Sequence, residues 1–190
     1  KLIDKYHKSG SVLIFAQTTT YVDALYNILE EIYPGDVTRY HSRIKPECRK
    51  KQLLFDFLQG KRKIMIATSA FSMGIDVPDI ELVVHFNAPI NMTDYIQQIG
   101  RAGRDGRKAH CVLFYDQNGD DDAISASFIK KAKKQSAKAA KIIKAKLNQV
   151  HDFIHSDSCM VCDILEYQGQ HERKTCKRCT VCAQKRRNSK

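Results

Sequence analysis

No stretch of this sequence approaches the ~20 consecutive apolar residues that cross a bilayer, and no apolar block near its start has the form of a secretory signal. An intracellular protein with no membrane partner is expected, nuclear in a eukaryote or cytoplasmic in a bacterium. Acidic residues are scarce in the last third: residues 130–190 hold 5 against 16 Lys and Arg, whereas residues 1–129 hold 16 of each. The net charge of +11 therefore sits in one flank. A neutral body with a basic flank suits an anionic polymer, because phosphate neutralisation with counterion release drives non-specific nucleic-acid binding; a solvated lysine-rich helix has the same composition. An even set of cysteines is also missing. Of 7 in total, only Cys48 and Cys111 precede the crowded group Cys159, Cys162, Cys176, Cys179 and Cys182. That distribution argues against a disulfide framework and for metal.

The 190 residues allow one full domain, at about 150 residues each, plus a small appendage. The first residue is Lys1 rather than Met, so the sequence reads as a piece of a longer chain. Up to Tyr115, short apolar runs alternate with amphipathic stretches. Ser11 to Phe15, Val37 to Tyr40, Ile64 to Ala67, Leu82 to Phe86 and Cys111 to Tyr115 read as strands. Tyr21 to Ile32, the segment from Pro46 to Gly60, and Thr93 to Ile99 read as helices. This alternation predicts an α/β domain with a parallel sheet covered on both faces. Residues 118–127 are acidic and small, which places a junction there and divides the chain into 1–118 and 119–190. Phe128 to His155 then reads as two helices with a break near Gln135-Ser136, a hairpin leading into the cysteines.

Ligands of such sheets gather at the carboxyl ends of the strands, where this sequence places polar residues. Thr18 follows the first strand, His41 the second, and Thr68 and Ser69 the third. A hydroxyl beside a helix N-terminus is a ready phosphate ligand, although Ser and Thr are also ordinary helix caps. The most specific stretch is Gln97-Gln98-Ile99-Gly100-Arg101-Ala102-Gly103-Arg104-Asp105-Gly106. Two arginines three apart, separated by glycine, can project toward a common anion. Among the cysteines, C-x2-C spacing gives five thiols for a metal that takes four, and spacing alone pairs Cys159 with Cys162.

The Gln97–Gly106 stretch resembles motif VI of superfamily 2 helicases, and its form resembles the RecQ branch. Ile66 to Asp76 resembles motif V, Val83-Val84-His85-Phe86 the strand after it, and Tyr40-His41 the start of a Y-H-A-G segment. The sequence departs from that pattern at Ser42-Arg43-Ile44, Ser72, Val77 and Glu81. The resemblance implies the second RecA-like lobe of an ATP-dependent 3′-to-5′ DNA helicase, followed by a helical-hairpin, zinc-binding subdomain. It further implies Arg104 as the arginine finger, Arg101 assisting at the γ-phosphate, and Gln97 coupling the site to motion. Gly74 and Asp76 would lie beside the nucleotide, and Thr18, His41, Thr68 and Ser69 beside single-stranded DNA. The family's cysteine pattern matches Cys159, Tyr167, Gly169 and Cys176, which implies zinc on Cys159, Cys176, Cys179 and Cys182 with Cys162 left over.

The sequence contains no G-x-x-x-x-G-K-[ST] phosphate loop and no D-E-x-H acid pair for Mg²⁺. The expectation is therefore a monomeric chain, inactive alone, whose ATP and Mg²⁺ are held by a first lobe. An RNA helicase lobe, or a zinc-containing adaptor without catalysis, are the alternatives.

Overall fold

The computed structural model describes residues 1–7, 9–72, 77, 79–171 and 175–188. The elements are α1 (Leu2–Tyr6), β1 (Ser11–Phe15), α2 (Thr19–Ile32), β2 (Val37–Tyr40), α3 (Glu47–Leu58), β3 (Ile64–Ala67) and β4 (Ile80–His85). They continue with α4 (Met92–Ile99), β5 (His110–Leu113), α5 (Asp120–Gln135), α6 (Ala137–Ile154), α7 (Met160–Tyr167) and α8 (Thr180–Asn188). Two compact units result: residues 1–89 with 93–127, and residues 90–92 with 128–190.

In the first unit five strands form one sheet in the order β2-β3-β1-β4-β5, and every pairing is parallel. β1 has neighbours on both sides, and all five of its residues are buried. Alternate residues feed two cores. Val12, Ile14, Ile64, Ile66, Leu82 and Val84 pack with Ile3 of α1 and Val22 of α2 on one face. Leu13, Phe15, Met65, Ala67 and Val83 pack with Phe57 of α3, Phe71 and Val77 on the other. Both faces are thus covered, as a βαβ pattern of continuous apolar strands requires.

The helices start where capping chemistry allows. The Thr18 hydroxyl accepts the Tyr21 N–H at 3.2 Å to open α2. The Ser136 hydroxyl accepts the Ala139 N–H at 3.0 Å and opens α6 at the break expected there. Residues 120–127, read as a junction from the sequence, are instead the first half of α5. Asp120, Asp121 and Asp122 fill its first turn, where the helix dipole favours negative charge. Asp121 is buried and accepts the N–H groups of Ala88 and Asp116, each at 2.8 Å, which binds this segment to the first unit as far as Ser127.

The second unit has little apolar interior. From Phe128 onward, its buried apolar residues among those described are Ala132, Val150, Phe153, Cys159 and Cys182. The lysines of α5 and α6 from Lys130 to Lys146 are all exposed. No helix among the described residues is long and apolar enough to cross a membrane.

Candidate nucleotide and nucleic-acid sites

The arginine-glycine loop is fixed to the amino end of the sheet. After α4 the chain turns tightly, the Arg101 N–H donating to the Gln98 carbonyl at 3.3 Å and the Ala102 N–H to that of Ile99 at 3.0 Å. The Gly103 N–H then donates to the carbonyl of Ile80, the first residue of β4, at 3.1 Å. Gly103 has φ +67°, and a Cβ there would stand 2.8 Å from the Arg107 carbonyl oxygen. Both the left-handed backbone and the close approach require glycine. The loop presents its arginines differently: the Arg101 side chain is buried, while Arg104 is exposed, its Nε donating to the Gly100 carbonyl at 3.2 Å. Gln97 is exposed on the last turn of α4. The far side of the turn is closed by Asp105, whose carboxylate the Arg107 N–H and guanidinium hold below the ordinary carboxylate range. Gly74 and Asp76 lie outside the described residues.

The polar residues expected beside nucleic acid lie at the opposite, carboxyl edge. Tyr40, Ala67, Phe15 and His85 end their strands in register, Tyr40 opposite Ala67, Ala67 opposite Phe15 and Phe15 opposite His85. The residues that follow are therefore neighbours across one edge. Thr18, Thr68 and the exposed Ser69 are among them. Six residues of β4 at about 3.3 Å each put this edge roughly 17 Å from the arginine loop.

His41 is different from its sequence reading. Its side chain is buried, and both ring nitrogens are engaged: Nδ1 accepts the Arg43 N–H at 3.2 Å, so Nε2 carries the proton and donates to Asp23 Oδ1 at 3.1 Å. The same Asp23 oxygen takes Arg39 at 2.6 Å, and Arg39 lies over the Tyr26 ring at 4.5 Å. No ring nitrogen is left for a phosphate; His41 instead fixes the loop after β2.

A buried polar pair not anticipated from the sequence joins β4 to α4. His85 Nε2 donates to Gln98 Oε1 at 2.7 Å, and both side chains are almost wholly enclosed. The imidazole stacks on Phe15 at 5.4 Å and tilts against Tyr95 at 4.9 Å. Burial pushes its pKa from 6.5 down to about 4, against the smaller upward effect of Gln98. An unfolded chain therefore binds this proton first, and stability is lost as pH falls through the window between about 6.5 and 4. The expected loss is about 2 kcal/mol between pH 7.5 and 5. Urea unfolding at the two pH values should show that loss in the wild type and a smaller one in His85→Phe.

In the second unit the sulfurs of Cys159, Cys176, Cys179 and Cys182 all lie within 4.8 Å of one another. Cys176 and Cys182 stand 4.0 Å apart, as do Cys159 and Cys179. A tetrahedral ion with metal–sulfur bonds of about 2.3 Å sets its thiolates roughly 3.8 Å apart, so this group could hold one. The loop is built for thiolates: N–H groups of Cys176, Cys179 and Cys182 point at the sulfurs of Cys159, Cys176 and Cys179, at 3.3, 3.2 and 3.5 Å. Burial pushes the Cys159 thiol up, but the N–H groups of Cys176 and Cys162 outweigh it and bring the value down to about 6. Cys182 is pushed up to about 12 by burial and by hydrogen bonds from its sulfur neighbours. Close sulfurs divide in this way because several thiolates cannot ionise together without a cation. Cys162 is not in the group.

Residues 1–106 match the helicase conserved C-terminal domain family. The ATP-dependent DNA helicase RecQ of Bacillus subtilis (strain 168) is 33% identical over 193 aligned positions, covering 98% of this chain; the chain spans 31% of that protein. Among solved structures, the C-terminal domain of the DEAD-box protein Dbp5 is similar at TM-score 0.52 and 26% identity, over 76% of this chain and 87% of that one. The second domain of the DEAD-box helicase Mss116p, bound to an RNA duplex, shares the fold at TM-score 0.53 and 20% identity, over 68% of this chain and 59% of that one. With its parallel sheet, its glycine-pinned arginine loop and its four-cysteine group, the chain belongs to the helicase conserved C-terminal domain family, as a RecQ-like member of superfamily 2.

Proposed function

We propose that this chain is the second RecA-like lobe of an ATP-dependent 3′-to-5′ DNA helicase. The observation that carries the reading is the Gly100–Gly106 loop, which holds one arginine buried and the next exposed on a backbone anchored to β4. In this reading ATP and Mg²⁺ bind on a first lobe that brings the phosphate loop and acid pair absent here. Exposed Arg104 enters that site and stabilises charge on the transferring phosphoryl group, while buried Arg101 orients the loop beside the γ-phosphate. Gln97, at the end of α4, couples the loop to lobe closure. Thr18, Thr68 and Ser69 hold the single-stranded backbone at the carboxyl edge, with His41 and Asp23 shaping the loop between them.

Zinc is the metal that four thiolates of this spacing fit best, and a closed four-cysteine set has no open position for water. Its part is structural: Cys159, Cys176, Cys179 and Cys182 hold α7 and α8 on a small interior while exposed lysines meet phosphate. Alone, the chain is monomeric and inactive.

The test is strand displacement by the complete protein on a DNA duplex with a 3′ single-stranded tail, with RNA of the same sequence as competitor. ATP-dependent separation that DNA inhibits more strongly than RNA is expected, weakening steeply with salt. Preference for RNA supports the RNA helicase reading, and binding without turnover the adaptor reading.

A further inference from the structure

We infer that the buried His85–Gln98 hydrogen bond is the link through which nucleic acid at the Gln17–Thr20 loop sets the position of the arginine loop. The inference rests on the proposed function and adds a positioning role for the His85 and Gln98 side chains, to which that function assigns no part.

Each step is a contact within the first unit. Gln17, next to Thr18, donates its backbone N–H to Asn87 Oδ1 at 3.4 Å and its side-chain Nε2 to the Ala88 carbonyl at 3.0 Å. Asn87 is buried, and the Ala88 N–H is in turn taken by Asp121, so residues 87 and 88 move with the Gln17 loop. Two residues earlier, His85 donates to Gln98 at 2.7 Å. The Gln98 backbone carbonyl accepts the Arg101 N–H at 3.3 Å. A displacement of the loop after β1 thus reaches Arg101 through polar contacts of 2.7–3.4 Å joined by the backbone between His85 and Ala88, two of these contacts being set by buried side chains.

The pair is also poorly replaceable by packing. His85 ends a strand whose other inward neighbours are apolar, and it is held in one tautomer: Nε2–H donates, while Nδ1 is buried and has no hydrogen-bond partner among the described residues. An apolar residue would fill the space without a directional tie to α4. A link of this kind is a coupling free energy, so it is read by perturbing one end and observing the other.

The experiment titrates a single-stranded oligothymidylate into this chain and follows backbone amide shifts. In the wild type, shifts are expected at Gln17–Thr20 and also at Gly100–Arg104. In Gln98→Leu the first set persists and the second is lost; in Gln98→Glu, which still accepts the Nε2 proton, the second set returns. Should Gln98→Leu not fold, His85→Phe keeps a ring between Phe15 and Tyr95, removes the donor and serves the same comparison. Equal shifts at Gly100–Arg104 in wild type and Gln98→Leu, or His85→Phe, overturn the inference and leave the binding reading intact. No shift at Gln17–Thr20 in the wild type overturns the placement of nucleic acid at this edge, and the inference with it.

Discussion

Replacing Cys179 with serine is expected to cost the chain its metal and the fold of its second unit, while Cys162→Ser keeps both. The second unit buries few apolar side chains, and two of them, Cys159 and Cys182, belong to the sulfur group itself. Area burial on that scale offsets little of the entropy lost on ordering more than fifty residues, at about 1–2 kcal/mol each for the backbone. A closed zinc–thiolate site contributes about 10–16 kcal/mol of apparent binding free energy, and in such domains binding energy is folding energy. Removing one of four thiolates therefore removes the main term. Cys162 lies outside the group, so its loss touches none of it. Elemental analysis should find about one zinc per wild-type and Cys162→Ser chain and none in Cys179→Ser. Limited proteolysis should cut that variant beyond Ser127 and spare the sheet, whose two cores are separate. Retention of zinc by Cys179→Ser with its loss from Cys162→Ser would show a different ligand set.

The second large effect falls on Arg104. In the complete protein, Arg104→Ala is expected to lower kcat for ATP hydrolysis by about 10³ to 10⁵, the range measured for arginine fingers in other nucleotide hydrolases. KM should change little, because in the proposed role the guanidinium meets charge that develops in the transition state rather than in bound ATP. Arg104→Lys should recover little, since an ammonium cannot present the planar fork of donors. The fold should be indifferent to either change, because Arg104 is exposed and the turn is held by the backbone of Gly103 and Ile80. Arg101, being buried, offers no such separation: its removal affects stability and turnover together.

Much of the first unit is legible in the sequence because parallel strands buried on both faces leave continuous apolar runs. Ser11–Phe15, Val37–Tyr40 and Ile64–Ala67 have the limits their apolar runs indicate. β4 begins two residues earlier than read, at Ile80, since Glu81 interrupts the apolar run; it falls where the register shifts between the Ser11–Ile80 and Val12–Leu82 pairs, and it accepts the Ser9 N–H. The short helices α7 and α8 are not visible beforehand: each begins directly after a cysteine of the four-sulfur group, Cys159 and Cys179, and periodicity has little to say over eight or nine residues. His41 reads as a loop-end ligand because its type and position allow it, whereas its saturation by Asp23 and Arg43 is a tertiary fact. His85 and Gln98 were legible as residues but not as a pair, since nothing in a strand or a helix alone shows that two polar side chains meet.

In the proposed mechanism this lobe supplies a cation to a nucleotide held elsewhere. Single-turnover ATP hydrolysis by the complete protein, with Arg104→Ala against wild type at saturating ATP and single-stranded DNA, tests it most directly. Nucleotide is expected to stay bound while the hydrolysis step slows by about three orders of magnitude or more. Hydrolysis within a few-fold of wild type would contradict it.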